Sequence, residues 1–204
     1  MVFIPKSLTR FKNESLKNKK KRVRVIITQL KKKTPHAKIA LIFSNPWELL
    51  VAVMLSAQCT DKKVNEVTPA LFKKYKKIED YMRADKKEFE SLIRPTGFYH
   101  AKAKHIIETA RLIHKNFENN IPRTMQDLLT LKGVARKTAN VVLGNAYGVV
   151  DGIAVDTHVL RLSQRLGLSS SNKPIVVERD LMEIIPKRDW FKSTYLFIEH
   201  GRAI

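Results

Sequence analysis

The sequence predicts an all-α protein, and three observations support this fold class. Apolar residues recur every three or four positions in most segments, which is the spacing of an amphipathic helix. Segments that alternate apolar and polar residues, as half-buried strands do, do not occur. Residues that favour helix starts precede several of the apolar segments. At 204 residues the chain is long enough for one large domain or two small ones.

The net charge of +20 indicates a polyanionic partner, because basic surfaces release counterions when they bind phosphates. Residues 1–38 hold ten lysines and three arginines against one glutamate, so more than half of the excess lies there. Residues 1–20 lack apolar periodicity, and we expect a flexible basic arm or simply a solvated tail.

The longest apolar run, around residues 49–57, is too short to cross a bilayer. We therefore expect no membrane partner and an intracellular protein. Cys59 is the only cysteine, so it forms no internal disulfide and anchors no metal site by itself.

The first helices are marked by their ends. Apolar spacing from Val23 to Leu30 predicts a helix that closes at Thr34-Pro35. Asn45 is a candidate N-cap for the next helix, because Pro46 suits its first turn and Glu48 completes a capping box. This helix ends in a polar loop that presents Gln58 outward.

Four more segments are predicted to be helical before the central hairpin of the sequence. Residues 64–75 contain Pro69, which forces a kink or a late start. Residues 81–93 form one helix, and Pro95 to Gly97 then leave Phe98 at the tip of a turn. Residues 106–117 form an amphipathic helix, and the short segment after Thr124 begins with a cap completed by Asp127.

The stretch L-K-G-V-A-R-K-T-A (131–139) predicts a hairpin between that short helix and the next one. Leu128, Leu129 and Leu131 give the short helix an apolar side, and Gly133 ends it. Unpaired backbone N–H groups at the start of the next helix would form a phosphate-sized anion site. These groups belong to Gly133, Val134, Ala135 and Arg136. An ordinary turn between packed helices is the alternative.

Lys137 is a candidate nucleophile, because a helix N-terminus and partial burial both favour the neutral amine. Asp156 is a candidate N-cap of a later helix, and a carboxylate facing the lysine could take its proton. The alternatives are one more surface lysine and a purely structural cap. Two final helices are predicted around residues 181–185 and 190–198.

Several motifs together resemble the endonuclease III family of the helix-hairpin-helix DNA glycosylases. Besides the hairpin stretch and I-A-V-D-T-H (153–158), they are N-P-W-E-L-L-V-A-V-M-L-S-A-Q-C-T-D (45–61), T-G-F-Y-H-A-K-A (96–103) and I-E-H-G-R (198–202). They follow the order expected of that family, and several motifs in register are far more specific than one.

The resemblance implies two helical lobes with an active-site cleft between them. The central lobe would comprise residues 39–150, including the helix-hairpin-helix at about 124–143, and the second lobe residues 21–38 with 151–204. It implies that Lys137 attacks C1′ and forms a Schiff base, with Asp156 as the catalytic aspartate. The hairpin amides would hold a DNA phosphate, and Gln58 and Phe98 would fill the gap left by an extruded nucleotide.

The chain departs from the family pattern in three places. Lys132 stands in place of the usual proline, and Ala135 in place of the hairpin's second glycine. Because alanine disfavours a positive φ, we expect weaker phosphate binding. The family usually continues into four cysteines that ligate a [4Fe–4S] cluster, which these residues cannot ligate without further chain past Ile204. We expect the second lobe to be truncated at that end; a cluster-free variant is the alternative.

The function expected from this resemblance is base-excision repair. A bifunctional DNA glycosylase and apurinic/apyrimidinic lyase would remove oxidised pyrimidines from duplex DNA, acting as a monomer. We expect it to be cytoplasmic and associated with the nucleoid, or otherwise to lie inside the cell with DNA. Relatives that excise adenine generally lack the lysine, so the presence of Lys137 favours the lyase. A helix-hairpin-helix DNA-binding module with impaired catalysis and a basic helical scaffold are the alternatives.

Overall fold

The computed structural model describes residue 11 and residues 13–204, and in this part of the chain every regular element is helical. The all-α prediction is therefore confirmed. The α-helices are α1 (Leu16–Lys33), α2 (Pro46–Leu55), α3 (Asp61–Lys74), α4 (Ile78–Met82), α5 (Lys86–Ile93), α6 (Tyr99–Phe117), α7 (Met125–Leu129), α8 (Arg136–Tyr147), α9 (Thr157–Arg165), α10 (Pro174–Ile184) and α11 (Trp190–Arg202). Short 3₁₀ helices span Arg94–Thr96 and Lys187–Asp189.

The chain divides into two compact units. One is Ala40–Val149, which we call the hairpin unit. The other combines the described part of residues 1–39 with Val150–Ile204, and we call it the terminal unit. The middle of the chain thus forms one body, and the two ends meet in the other.

Helix α2 lies at the centre of the hairpin unit. It begins as the sequence predicts, because the Asn45 side chain accepts the N–H of Glu48 at 2.9 Å and Pro46 occupies the first turn. The Glu48 carboxylate accepts the N–H of Ser44 at 2.7 Å, one residue before the cap. All its residues from Leu49 to Leu55 are buried, and it packs against α3, α6 and α8.

Two predicted elements of the hairpin unit differ in the structure. Pro69 lies inside α3, which starts at Asp61 under a Thr60 cap, so the proline does not delay the start. The helix predicted over residues 81–93 is wrong as one element, because it is two helices, α4 and α5. Asp85 causes the break, since its side chain accepts the N–H of Glu88 at 2.9 Å and caps a new helix.

Helix α1 corrects the predicted arm. A flexible arm over residues 1–20 is wrong for residues 16–20, which are helical, while residues 1–10 and 12 lie outside the described residues. Ser15 caps the helix by accepting the N–H of Asn18 at 3.3 Å. Lysine-rich segments are good helix formers, and burial of Val23 and Ile27 on one face anchors the helix.

The core of the terminal unit joins α1, α9, α10 and α11. Close contact between α9 and α11 depends on Gly201, because a Cβ there would come within 3.0 Å of the His158 side chain. The Arg161 guanidinium also donates to the Gly201 carbonyl. The histidine of I-A-V-D-T-H and the glycine of I-E-H-G-R are thus partners in one helix contact.

Candidate active site

The hairpin starts as predicted. Thr124 caps α7, accepting the N–H of Asp127 at 3.1 Å and donating its hydroxyl to the Asp127 carboxylate at 2.7 Å. Leu128 and Leu131 are buried and hold α7 to the unit, but the prediction for Leu129 is wrong, because its side chain is 45% exposed. Two of the three predicted leucines are therefore buried, and Met125 and Val134 of the same segment are buried as well.

Gly133 forms the bend of the hairpin with φ of +74°. A Cβ at this position would come within 2.9 Å of His105 Nδ1 and 3.0 Å of His105 Cβ on α6. On the preceding residue, the Lys132 carbonyl accepts the Thr109 hydroxyl at 2.9 Å. Conformation and space therefore both require glycine at 133, and two residues of α6 fix the position of the bend.

The sequence predicts unpaired backbone amides at residues 133–136, but in the structure not all of these amides are available. The Val134 N–H donates to the Leu131 carbonyl at 3.3 Å, so the prediction of an unpaired amide is wrong there. Its side chain is buried as well. The turn closes on itself at Val134, because the hairpin is tight enough to bring residue 131 within reach. Gly133 and Ala135 remain candidate amide donors of the turn.

Ala135 has an extended backbone, with φ of −98° and ψ of 170°. The cost expected for alanine in a positive-φ turn is therefore not incurred, and that part of the prediction is wrong. Ala135 is the N-cap residue of α8 and has no side-chain oxygen to cap the helix. The N-terminus of α8 therefore receives no side-chain cap from Ala135.

Lys137 is the second residue of α8 and is half-buried, as is Arg136 before it. Lys132, five positions earlier, is exposed. An ammonium at the N-terminal end of a helix lies in the positive field of the helix dipole. Lys137 therefore differs from the exposed lysines of this chain, and its role as the nucleophile stays a prediction.

Asp156 caps α9, as predicted. Its Oδ1 accepts the N–H of Val159 at 2.8 Å, and the side chain is half-buried. Asp156 belongs to the terminal unit and Lys137 to the hairpin unit. A catalytic partnership between the two stays a prediction.

Gln58 and Phe98 share a backbone conformation that the sequence does not reveal. Their φ angles are +51° and +48°, in the left-handed region that residues with a side chain rarely adopt. Both side chains are exposed, and that of Phe98 is 65% exposed, which is unusual for a large apolar residue. Strained residues of this kind cluster at functional sites.

Lys102 is a residue that sequence analysis missed. Its Nζ is buried and donates to the carbonyl of Leu55 at 2.7 Å and to that of Thr96 at 2.8 Å. Burial lowers the pKa of this lysine. A signal was present in the sequence, since Lys102 lies four residues before Ile106 and thus on the apolar face of α6.

The described residues do not fit an iron–sulfur cluster. They contain no group of three or more histidine, cysteine, aspartate or glutamate side chains arranged to hold a metal. Cys59 is half-buried in the loop after α2 and is the only cysteine of the sequence, whereas such clusters need several thiolates.

No helix among residues 11 and 13–204 is both long and apolar enough to cross a membrane.

Comparison with known proteins identifies the family. Residues 51–187 match the model of the HhH-GPD superfamily of base excision DNA repair proteins. This range contains the hairpin, Lys137 and Asp156. The chain belongs to this superfamily.

Within the superfamily, the chain is similar to endonuclease III proteins of bacteria. The chain is 51% identical to the endonuclease III of Synechocystis sp. over 187 residues, which cover 92% of this chain and 85% of that protein. It is 47% identical to the endonuclease III of Bacillus subtilis over 169 residues, covering 82% of this chain and 77% of the relative.

Solved structures of the superfamily agree with the sequence likeness. An endonuclease III trapped as a covalent intermediate with DNA matches with a TM-score of 0.87 and 43% identity, covering 90% of this chain and 86% of that chain. A non-covalent endonuclease III complex with DNA matches with a TM-score of 0.86 at the same identity and coverage. A thermostable thymine-DNA glycosylase shares the fold, with a TM-score of 0.78 at 22% identity over 93% of this chain and 89% of that one.

Proposed function

We propose that this protein is a bifunctional DNA glycosylase and apurinic/apyrimidinic lyase that removes oxidised pyrimidines from duplex DNA. The observation that carries the proposal is the position of Lys137. It is half-buried at the start of α8, directly after the hairpin proposed to bind a phosphate. The trapped covalent intermediate of a relative with 43% identity supports covalent chemistry on DNA.

The proposed reaction begins with the neutral amine of Lys137. Its nitrogen bonds to C1′ of the damaged nucleotide while the C1′–base bond breaks, and the base leaves with the bonding electrons and takes up a proton. Opening of the sugar ring gives a Schiff base between Lys137 and C1′. Loss of a C2′ proton then expels the 3′ phosphate, which nicks the strand, and water releases the lysine.

Asp156 has a separate role in this proposal. Its carboxylate stabilises the positive charge that develops on the sugar as the base departs, and it accepts the proton that the attacking amine loses. Its hydrogen bond to Val159 holds the carboxylate in one orientation. An aspartate used as an N-cap is thereby also fixed for catalysis.

The hairpin unit supplies the proposed DNA contacts. The amides of Gly133 and Ala135 bind a backbone phosphate at the N-terminus of α8, assisted by the positive end of the helix dipole and by the Arg136 guanidinium. Gln58 and Phe98 enter the duplex and fill the space left by the extruded nucleotide. Exposure of the Phe98 ring suits this task, because it meets base pairs only when DNA is bound.

An iron–sulfur cluster would need ligands that residues 1–204 do not provide, and we propose that the chemistry of Lys137 does not depend on one. Purified protein of this sequence is expected to show no iron in stoichiometric amount. Iron content and visible absorbance test this expectation, and iron near four atoms per chain would contradict it.

Borohydride trapping tests the proposal directly. The native protein is incubated with a duplex containing an abasic site, and the reductant converts the Schiff base into a stable covalent adduct. We expect an adduct with native protein and with Lys132→Ala, which removes the same charge from the same hairpin. Lys137→Ala should give none, because only the amine at position 137 reaches C1′. An equal yield of adduct from Lys137→Ala would refute its role.

A second measurement addresses the substrate. Native protein should excise an oxidised pyrimidine from a duplex and nick that strand, whereas undamaged duplex stays intact. Binding that weakens with salt, without adduct or nicking, would instead identify a DNA-binding module with impaired catalysis. Equal affinity for damaged and undamaged duplexes together with no adduct would leave only a basic helical scaffold.

A further inference from the structure

Lys102 occupies a position that is unfavourable for a cation. It lies in the first turn of α6, where the helix dipole disfavours positive charge, and its side chain is buried. Burial also disfavours the charged form, and accordingly the pKa of Lys102 is lowered. Such a residue needs compensation from its surroundings, and two backbone carbonyls provide it.

The first carbonyl belongs to Leu55, the last residue of α2. Helix ends leave carbonyls without partners, and here each finds one. Val53 receives the Ser56 hydroxyl at 2.8 Å, Met54 receives the Ala57 N–H at 3.4 Å, and Leu55 receives the Lys102 ammonium at 2.7 Å. The lysine therefore completes the end of α2, from which the chain enters the loop that carries Gln58.

The second carbonyl belongs to Thr96, two residues before Phe98. It ends the 3₁₀ helix that leads into the turn, and Lys102 Nζ donates to it at 2.8 Å. Thr96 is itself buried, and its hydroxyl donates to the Ile93 carbonyl at 2.8 Å. One ammonium thus joins the backbones of two segments that lie about forty residues apart in the sequence.

We propose that Lys102 is a positioning residue that holds the Gln58 loop and the Phe98 turn in register for nucleotide extrusion. This inference rests on the proposed function, in which those two side chains enter the duplex. Because its side chain is buried, Lys102 acts in this proposal through the two backbone segments and not by contact with DNA.

We call the two hydrogen bonds from Lys102 to the Leu55 and Thr96 carbonyls the clamp. The backbone strain at Gln58 and Phe98 explains why it is needed. Gln58 and Phe98 both adopt positive φ, which residues with side chains leave unless the surrounding structure prevents it. Removal of the clamp lets both segments relax, so that the side chains no longer replace the extruded nucleotide together. Duplex substrates should suffer most, because only they require a base pair to be opened.

The test compares excision of an oxidised pyrimidine from a duplex with excision from single-stranded DNA. In Lys102→Met, single-turnover excision from the duplex should fall about tenfold, with less than about a twofold change on the single strand. Lys102→Arg, which keeps the charge and the donors, should recover most of the duplex rate. Lys104→Met removes an exposed lysine from the same helix and serves as the matched control with native rates.

A double-mutant cycle separates positioning from general stability. If Lys102 acts through Gln58, then Lys102→Met and Gln58→Ala together should lose less duplex activity than the product of their separate losses. Equal fractional losses on duplex and single strand, or independent effects in the cycle, would overturn the inference. Circular dichroism establishes that the variants are folded.

Two further outcomes are also informative. If Lys102→Met does not fold, Lys102→Gln retains one amide donor and carries the same comparison. If native protein excises neither substrate, the proposed function has failed; if native protein is active and Lys102→Met keeps the native ratio of duplex to single-strand rates, only the clamp has failed.

Discussion

The hairpin bend offers the sharpest test of how this fold presents its amides, through the substitution Gly133→Ala. Gly133 has φ of +74°, and a Cβ there would come within 2.9 to 3.0 Å of three atoms of His105. The left-handed conformation costs alanine about 1 kcal/mol. Displacement of His105 or of the hairpin adds about 1–3 kcal/mol, because the obstructing Cβ lies next to the backbone of α6 and cannot swing away.

Gly148→Ala is the matched control for this substitution. Gly148 has φ of +66° at the C-terminal end of α8, the helix that follows the hairpin, and a Cβ there would meet no atom within 4 Å. Gly148→Ala should therefore lower the free energy of unfolding only by the cost of a positive φ for alanine, about 1 kcal/mol. Urea unfolding followed by circular dichroism measures both losses in the free energy of unfolding. Equal losses for the two variants would refute the steric role of His105.

Affinity for a duplex with an abasic site completes the test. Gly133→Ala should weaken binding, since movement of the bend displaces the amides that hold the phosphate, whereas Gly148→Ala should bind as native protein does. Fluorescence anisotropy at one fixed salt concentration gives both constants. Native affinity in a Gly133→Ala protein that has lost stability would show that the hairpin amides do not bind the phosphate.

Three further predictions concern single residues. Asp156→Ala should lower the free energy of unfolding by about 1 kcal/mol, because the cap of α9 is lost. Asp156→Asn should keep the cap but lose excision. Full activity of the asparagine variant in a nicking assay would show that the carboxylate is only structural. Ala135→Asp should raise the free energy of unfolding by about 1 kcal/mol, because it caps α8, yet weaken duplex binding by repelling phosphate, and tighter binding in anisotropy would contradict this. Burial lowers the pKa of Lys102, so the unfolded chain binds more protons between that pKa and the ordinary value. The stability of native protein relative to Lys102→Met should therefore rise with pH across that window in urea unfolding, and a constant or falling difference would count against burial of the charge.

Local interactions explain which helix starts were predictable. The caps at Asn45, Thr124 and Asp156 involve hydrogen bonds to residues only three positions ahead, and each is present as predicted. Asp85 was overlooked although it uses the same interaction, because an apolar pattern continued across it. Periodicity alone cannot separate one helix from two that share a buried face.

Order and spacing of motifs allowed the family to be recognised, and the superfamily match confirms it. Those motifs record which residue types occur, but not their conformations. The Ala135 substitution was expected to strain the hairpin, yet an extended φ accepts alanine without cost. Only the three-dimensional path of the turn decides which of its residues needs glycine.

The sequence by itself determined the helical class, the helix caps at Asn45, Thr124 and Asp156, the family motifs and the candidate lysine, because each of these is carried by residues close together along the chain. The tertiary structure decided the rest of the hairpin unit. It places His105 against Gly133 and buries Lys102 between the carbonyls of Leu55 and Thr96. These contacts join segments whose separation along the chain carries no sign of their closeness in space, so folding alone brings them together.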